Sequence, residues 1–134
     1  MLAGDTPLID AARHGRLADV AALLTDGAAV NAWTKDGATA LHVACENGHT
    51  DVATMLLAAG AGVNQGNDNG WTPLHIGCRE GHSEIVTNLV AANANVNQAT
   101  HDGTTPFYTT PLCIASPRHS GDEWTGGRGR ISRG

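Results

Sequence analysis

Aromatic side chains are scarce in this sequence, with one Phe, one Tyr and three Trp among 134 residues. A core without many bulky rings has to close around Ala, Leu and Val, which suits short helices packed closely together. Basic residues are also few, eight Lys and Arg against thirteen Asp and Glu, for a net charge of −5. That balance excludes a general duplex-DNA binder, because phosphates need cations to neutralise them. No apolar run approaches the ~20 residues that span a bilayer, and Met1-Leu2-Ala3-Gly4-Asp5 has no basic segment followed by an apolar stretch. Cys45, Cys78 and Cys113 are odd in number and widely spaced, a poor disulfide framework that fits a reducing compartment. These absences predict a soluble intracellular protein of the cytoplasm or nucleus. The length suits one domain with one continuous core and is short for two.

The charge is unevenly spread. Up to Tyr108 there are eleven acidic and four basic residues, whereas the remainder carries Arg118, Arg128, Arg130 and Arg133 against Asp122 and Glu123. The first part is acidic and the tail mildly basic. The acidity either steers a basic partner or simply keeps the surface solvated, and solvation is the favoured reading.

What the sequence does contain is a period of 33. Pro7, Ala40, Pro73 and Pro106 stand in one column, and Leu8, Leu41, Leu74 and Phe107 in the next. The same interval relates Gly15, Gly48 and Gly81, then Leu23, Leu56 and Leu89, then Ala28, Ala61 and Ala94, then Val30, Val63 and Val96, then Asn31, Asn64 and Asn97. Internal repetition of this kind signals a stack of similar supersecondary units.

Each unit reads as turn, short helix, turn, longer helix and extended loop. In the third, Thr72 is an N-cap and Pro73 fits the first helical position, where no amide hydrogen is needed. Leu74, Gly77 and Cys78 then share one face, and Gly81 supplies the positive φ that ends the helix. Ser83 is expected to cap a second helix with Ile85, Val86, Leu89 and Val90 as its buried stripe. Val52, Met55, Leu56 and Leu57 repeat that stripe in the second unit. Gly60 closes the helix there, and Asn93 takes the same place later because Asn tolerates the left-handed conformation. Asp36-Gly37, Asn69-Gly70 and Asp102-Gly103 mark tight turns between units, flanked by short extended arms that would project as hairpin fingers.

Asn69-Gly70-Trp71-Thr72-Pro73-Leu74-His75, followed by Gly81-His82 and then Ala94-Asn95-Val96-Asn97, closely resembles the ankyrin repeat. The resemblance covers roughly residues 4–108. It implies an all-α ankyrin-repeat solenoid of helix-turn-helix units joined by β-hairpin fingers. The expected organisation is an array over residues 1–108, with units at about 4–32, 33–65 and 66–98 and the start of a fourth at 99–116. Residues 117–134 form a Gly/Arg-rich tail expected to be disordered. Unit one has Ile9 and Asp10 where the family usually has His and an apolar residue, so it resembles an N-terminal cap or the first unit of a cut array. Thr110-Pro111-Leu112-Cys113-Ile114-Ala115 looks like a second copy of the motif displaced by five residues, which leaves the fourth repeat incomplete.

Ankyrin repeats typically bind proteins through the finger tips and the exposed face of the first helix, a concave surface. By resemblance the partner-binding residues here are Trp33, Lys35, Asp36, Glu46, Asn47, Asp68, Trp71, Arg79, Glu80, His101 and Asp102. Trp is enriched at binding hot spots; the competing reading is that each ring lies over a neighbouring finger. A second functional reading is a structural or regulatory fragment of a longer polypeptide with no ligand of its own.

His42 with Cys45 and His75 with Cys78 offer four zinc-ligand side chains on paper. Equivalent positions in stacked helices stand roughly 8–10 Å apart, too far to converge on one ion. His49 and His82 follow the glycine turns, where a side chain can hydrogen-bond loop backbone; acid–base catalysis would need a nucleophile or carboxylate fixed close by, and periodic placement already explains both residues. The sequence therefore predicts no catalytic residues, no metal, no cofactor, no small-molecule substrate, no nucleic acid and no membrane. A monomeric protein binding a protein partner is the expectation. The segment Gly126-Gly127-Arg128-Gly129-Arg130 is too short, and lacks the interleaved aromatics, to argue for single-stranded RNA.

Overall fold

The structure, a computed structural model, describes residues 4–103, Thr105, and the backbone of 128–129 and 132–133. Six helices occupy the first part: α1 (Pro7–Arg13), α2 (Leu17–Thr25), α3 (Ala40–Asn47), α4 (Thr50–Ala58), α5 (Pro73–Glu80) and α6 (Ser83–Ala91). Two residue pairs, β1 (Arg128–Gly129) and β2 (Ser132–Arg133), run antiparallel near the end of the chain. The displaced motif at Thr110–Ala115, the incomplete fourth repeat and most of the Gly/Arg-rich tail lie outside the described residues.

The helices pair as α1 with α2, α3 with α4 and α5 with α6. The first helices pack α1 on α3 on α5, and the second helices α2 on α4 on α6, so the units stack as two parallel layers. Between the layers runs one core that includes Leu8, Val20, Leu41, Leu56, Leu74, Ile85 and Leu89. Helices of seven to nine residues are marginal alone in water, so each depends on the apolar face of its neighbour.

The helix ends form where the turn chemistry puts them. Thr39 and Thr72 cap α3 and α5 through their side chains, and Gly48 and Gly81 end them in the left-handed region at φ 74° and 77°. Gly60 and Asn93 adopt φ 91° and 71° after α4 and α6. There Ala61 N–H donates to Leu56 O (3.0 Å) and Ala94 N–H to Leu89 O (2.9 Å), so Asn reproduces the glycine closure.

Three local expectations are corrected. Ser83 is the first residue inside α6; His82 holds the N-cap position and makes no side-chain cap. Its imidazole instead reaches the preceding unit, as described below. Val90 is exposed, at the margin of a stripe whose counterparts Leu24 and Leu57 are only partly buried. Cys78 is disulfide-bonded, unlike buried Cys45, so the expectation of cysteines outside any disulfide fails at that position.

Candidate functional site

The turns between units carry most of the candidate residues. In the second unit Gly37 N–H donates to Thr34 O (2.9 Å) and Thr34 N–H to Ala38 O (2.9 Å), while one isolated antiparallel bridge joins Trp33 to Thr39. In the third, Gly70 N–H donates to Asn67 O and Asn67 N–H to Trp71 O, both 2.9 Å. These links are tight turns with minimal arms, because a side chain takes amides that longer strands would pair. Thr34 Oγ1 accepts from the amides of Asp36 (3.2 Å) and Ala38 (3.3 Å), and Asn67 Oδ1 from those of Asn69 (2.9 Å) and Trp71 (3.0 Å). Thr34 and Asn67 thus shape the surface although sequence reasoning passed over them. Their signal was a Thr or Asn three residues before each turn glycine, at the 33-residue interval.

Successive turns are joined tip to tip. Asp68 N–H donates to Asp36 O (3.1 Å), and one unit later His101 N–H donates to Asn69 O (3.0 Å). The approach is so close that a Cβ on Gly37 would stand 2.6 Å from Asp68 Oδ1. Lys35, Asp36, Asp68, His101 and Asp102 are therefore brought into one exposed row, in which Asp102 also accepts a hydrogen bond from Thr100.

A second row lies at the C-terminal ends of the first helices. Glu46, Asn47, Arg79 and Glu80 are all exposed there. Asn47 Nδ2 donates to Val43 O of its own helix (2.8 Å), and Arg79 pairs with Glu80 at 3.0 Å.

Trp71 links the two rows and differs sharply from Trp33. Its ring centroid is 5.4 Å from that of His75, and the Arg79 guanidinium lies 5.0 Å from it, a cation–π stack. Trp71 is accordingly half-buried. Trp33 is 64% exposed, the most exposed large hydrophobic side chain among the described residues.

Beneath this surface, histidines tie the units together. Thr39 N–H donates to His42 Nδ1 (3.0 Å), which makes Nδ1 the acceptor and leaves the proton on Nε2; that proton goes to Trp71 O at 2.8 Å. Desolvation by burial lowers the His42 pKa, outweighing the backbone hydrogen bonds to Trp71 and Gln65 that raise it. His42 is thus a neutral linker, and neither ring nitrogen has a lone pair left for a metal. Burial pushes the Cys45 thiol up, so it stays protonated. His49 Nε2 donates to Arg13 O (3.0 Å) and His82 Nε2 to Glu46 O (3.3 Å), each reaching the preceding unit's helix end. Among the described residues no group of three His, Cys, Asp or Glu could hold a metal ion, and no helix is long and apolar enough to cross a membrane.

Stacked helix pairs, left-handed closures and histidine-stapled turns define a helical repeat solenoid. The sequence matches the family model described as ankyrin repeats (3 copies), over residues 8–100 and 59–119. The chain belongs to the ankyrin-repeat family, whose members are generally protein–protein interaction modules and typically non-enzymatic. Comparison with curated proteins gives no match.

Proposed function

We propose that the chain is a non-enzymatic module that binds a protein partner through the concave surface of finger turns and first-helix ends. The observation that carries this reading is Trp33. An indole left 64% exposed on the turn of a well-packed unit forgoes burial that a core position would supply, and exposed aromatics of this kind anchor interfaces. Lys35, Asp36, Asp68, His101 and Asp102 would extend the surface along the tips, and Glu46, Asn47, Arg79 and Glu80 along the helix ends. Trp71 serves mainly to hold these two rows together through Arg79. The array is read as residues 1–108, acting as a monomer inside the cell.

The test is affinity capture with quantitative mass spectrometry, comparing the wild type with Trp33→Ala. Proteins enriched by the wild type should be lost with Trp33→Ala while circular dichroism of the two is the same. Equal capture by both would remove Trp33 from the site. No specific capture by either would favour a structural fragment without a ligand of its own.

A further inference from the structure

We infer that the Trp33 finger receives an arginine or lysine from a basic, extended segment of the protein partner. This rests on the protein-binding reading above and specifies the chemistry of what is bound.

The surface already contains one instance of the proposed contact. Arg79 lies over the face of Trp71 at 5.0 Å, its guanidinium held by Glu80 at 3.0 Å. Aromatic face, cation and carboxylate thus form one self-satisfied set. Trp33 has the same aromatic group and no cation over it among the described residues, and its ring is open to solvent. One carboxylate, Asp36, stands on the same finger as Trp33, and a second, Asp68, on the tip of the next. Asp68 N–H donates to Asp36 O (3.1 Å), which brings the two tips side by side, and neither side chain has an ion-pair partner among the described residues. Like charges on adjoining tips without a counter-ion favour a cation brought from outside. Lys35 does not supply it within an ion pair, and its stem lies toward the N-terminal segment, where a Cβ on Gly4 would be 3.8 Å from Lys35 Cγ. A cation over the indole and beside the two carboxylates completes at Trp33 the arrangement that Arg79 and Glu80 complete at Trp71.

The probe is a blocked nonapeptide of alternating Gly and Arg, set against the same peptide with citrulline, a neutral isostere, in place of Arg. Binding is followed by tryptophan emission and by calorimetry on the full chain. The arginine peptide should bind at least about tenfold more tightly than the citrulline peptide, and Trp33→Ala should weaken it by about tenfold. Asp36→Asn with Asp68→Asn should weaken it and flatten its salt dependence. Trp33→Phe, which keeps an aromatic face, should retain part of the affinity. Urea midpoints of all variants verify that they are folded. Absence of binding, equal binding of the two peptides, or binding insensitive to Trp33→Ala overturns the inference. If the citrulline peptide binds as well as the arginine peptide and Trp33→Ala abolishes both, the docking site stands and the cation does not.

Discussion

The imidazole of His42 is shared between two units: its Nδ1 accepts from Thr39 N–H at 3.0 Å, and its Nε2 donates to the carbonyl oxygen of Trp71, 29 residues later, at 2.8 Å. One buried ring therefore fixes a helix start in the second unit and the outgoing arm of a turn in the third. Burial lowers its pKa from the ordinary 6.5. The unfolded chain then takes up a proton at a pH where the folded chain still refuses it. This contribution to stability is complete above about pH 6.5 and is lost as pH falls through the interval down to the folded pKa. Urea midpoints should drop between about pH 7.5 and about pH 5.5, and the drop should shrink in His42→Gln. At neutral pH His42→Ala leaves the Thr39 amide without its acceptor, while the Trp71 carbonyl keeps only the bond from Asn67 N–H, a loss of roughly 1–3 kcal/mol before any cavity term.

Glycines at the helix ends separate two effects that are usually mixed. Gly60 has φ 91° with nothing within 4 Å of a built Cβ, whereas Gly15 has φ 69° and a Cβ there would meet His49 Nδ1 at 2.6 Å. Gly60→Ala should cost about 1–2 kcal/mol from backbone strain alone. Gly15→Ala should cost more, and His49→Ala introduced into that variant should recover part of the excess, as a double-mutant cycle in urea would measure.

The two tryptophans should behave oppositely in stability. Trp33→Ala removes a side chain that is 64% exposed and should stay within about 0.5 kcal/mol of the wild type. Trp71→Ala removes a half-buried ring together with its contacts to His75 and Arg79, and should cost more than about 1 kcal/mol. Equal urea midpoints for the two variants would contradict the division of roles drawn between them.

That division was not legible in the sequence. Both tryptophans read as finger residues, and a 33-residue interval gives no measure of which ring falls under a neighbour. The difference arises because Trp33 precedes its turn and Trp71 follows its own, on the arm leading directly into α5, where Arg79 can fold back over it. Helix positions were legible wherever a backbone rule acts locally: Thr72 before Pro73, glycine at 81, Asn93 in place of a glycine. Ser83 misled because capping propensity is a local prior, whereas His82 is held at that position by a bond to Glu46 O, 36 residues back. Long-range bonds of this kind leave no mark on the local pattern.

Asparagines 31 and 64 give a further check on how neighbouring units are coupled. Asn31 Oδ1 accepts from Gly62 N–H (2.7 Å), and Asn64 Oδ1 from Asn95 N–H (2.6 Å). Each residue ties its own loop to the next. Asn64→Ala should cost about 0.5–1.5 kcal/mol, and hydrogen exchange should accelerate at the Asn95 amide before it does in α3.

The most direct test of a binding face on the turns is site-specific photo-crosslinking. A benzophenone amino acid replaces Trp33 in one variant and Thr87, exposed on α6, in another. A discrete crosslinked protein from position 33, with none from position 87, is the predicted result. Labelling from position 87 and none from position 33 would place the partner on the second-helix layer and contradict the assignment of the finger surface as the binding site.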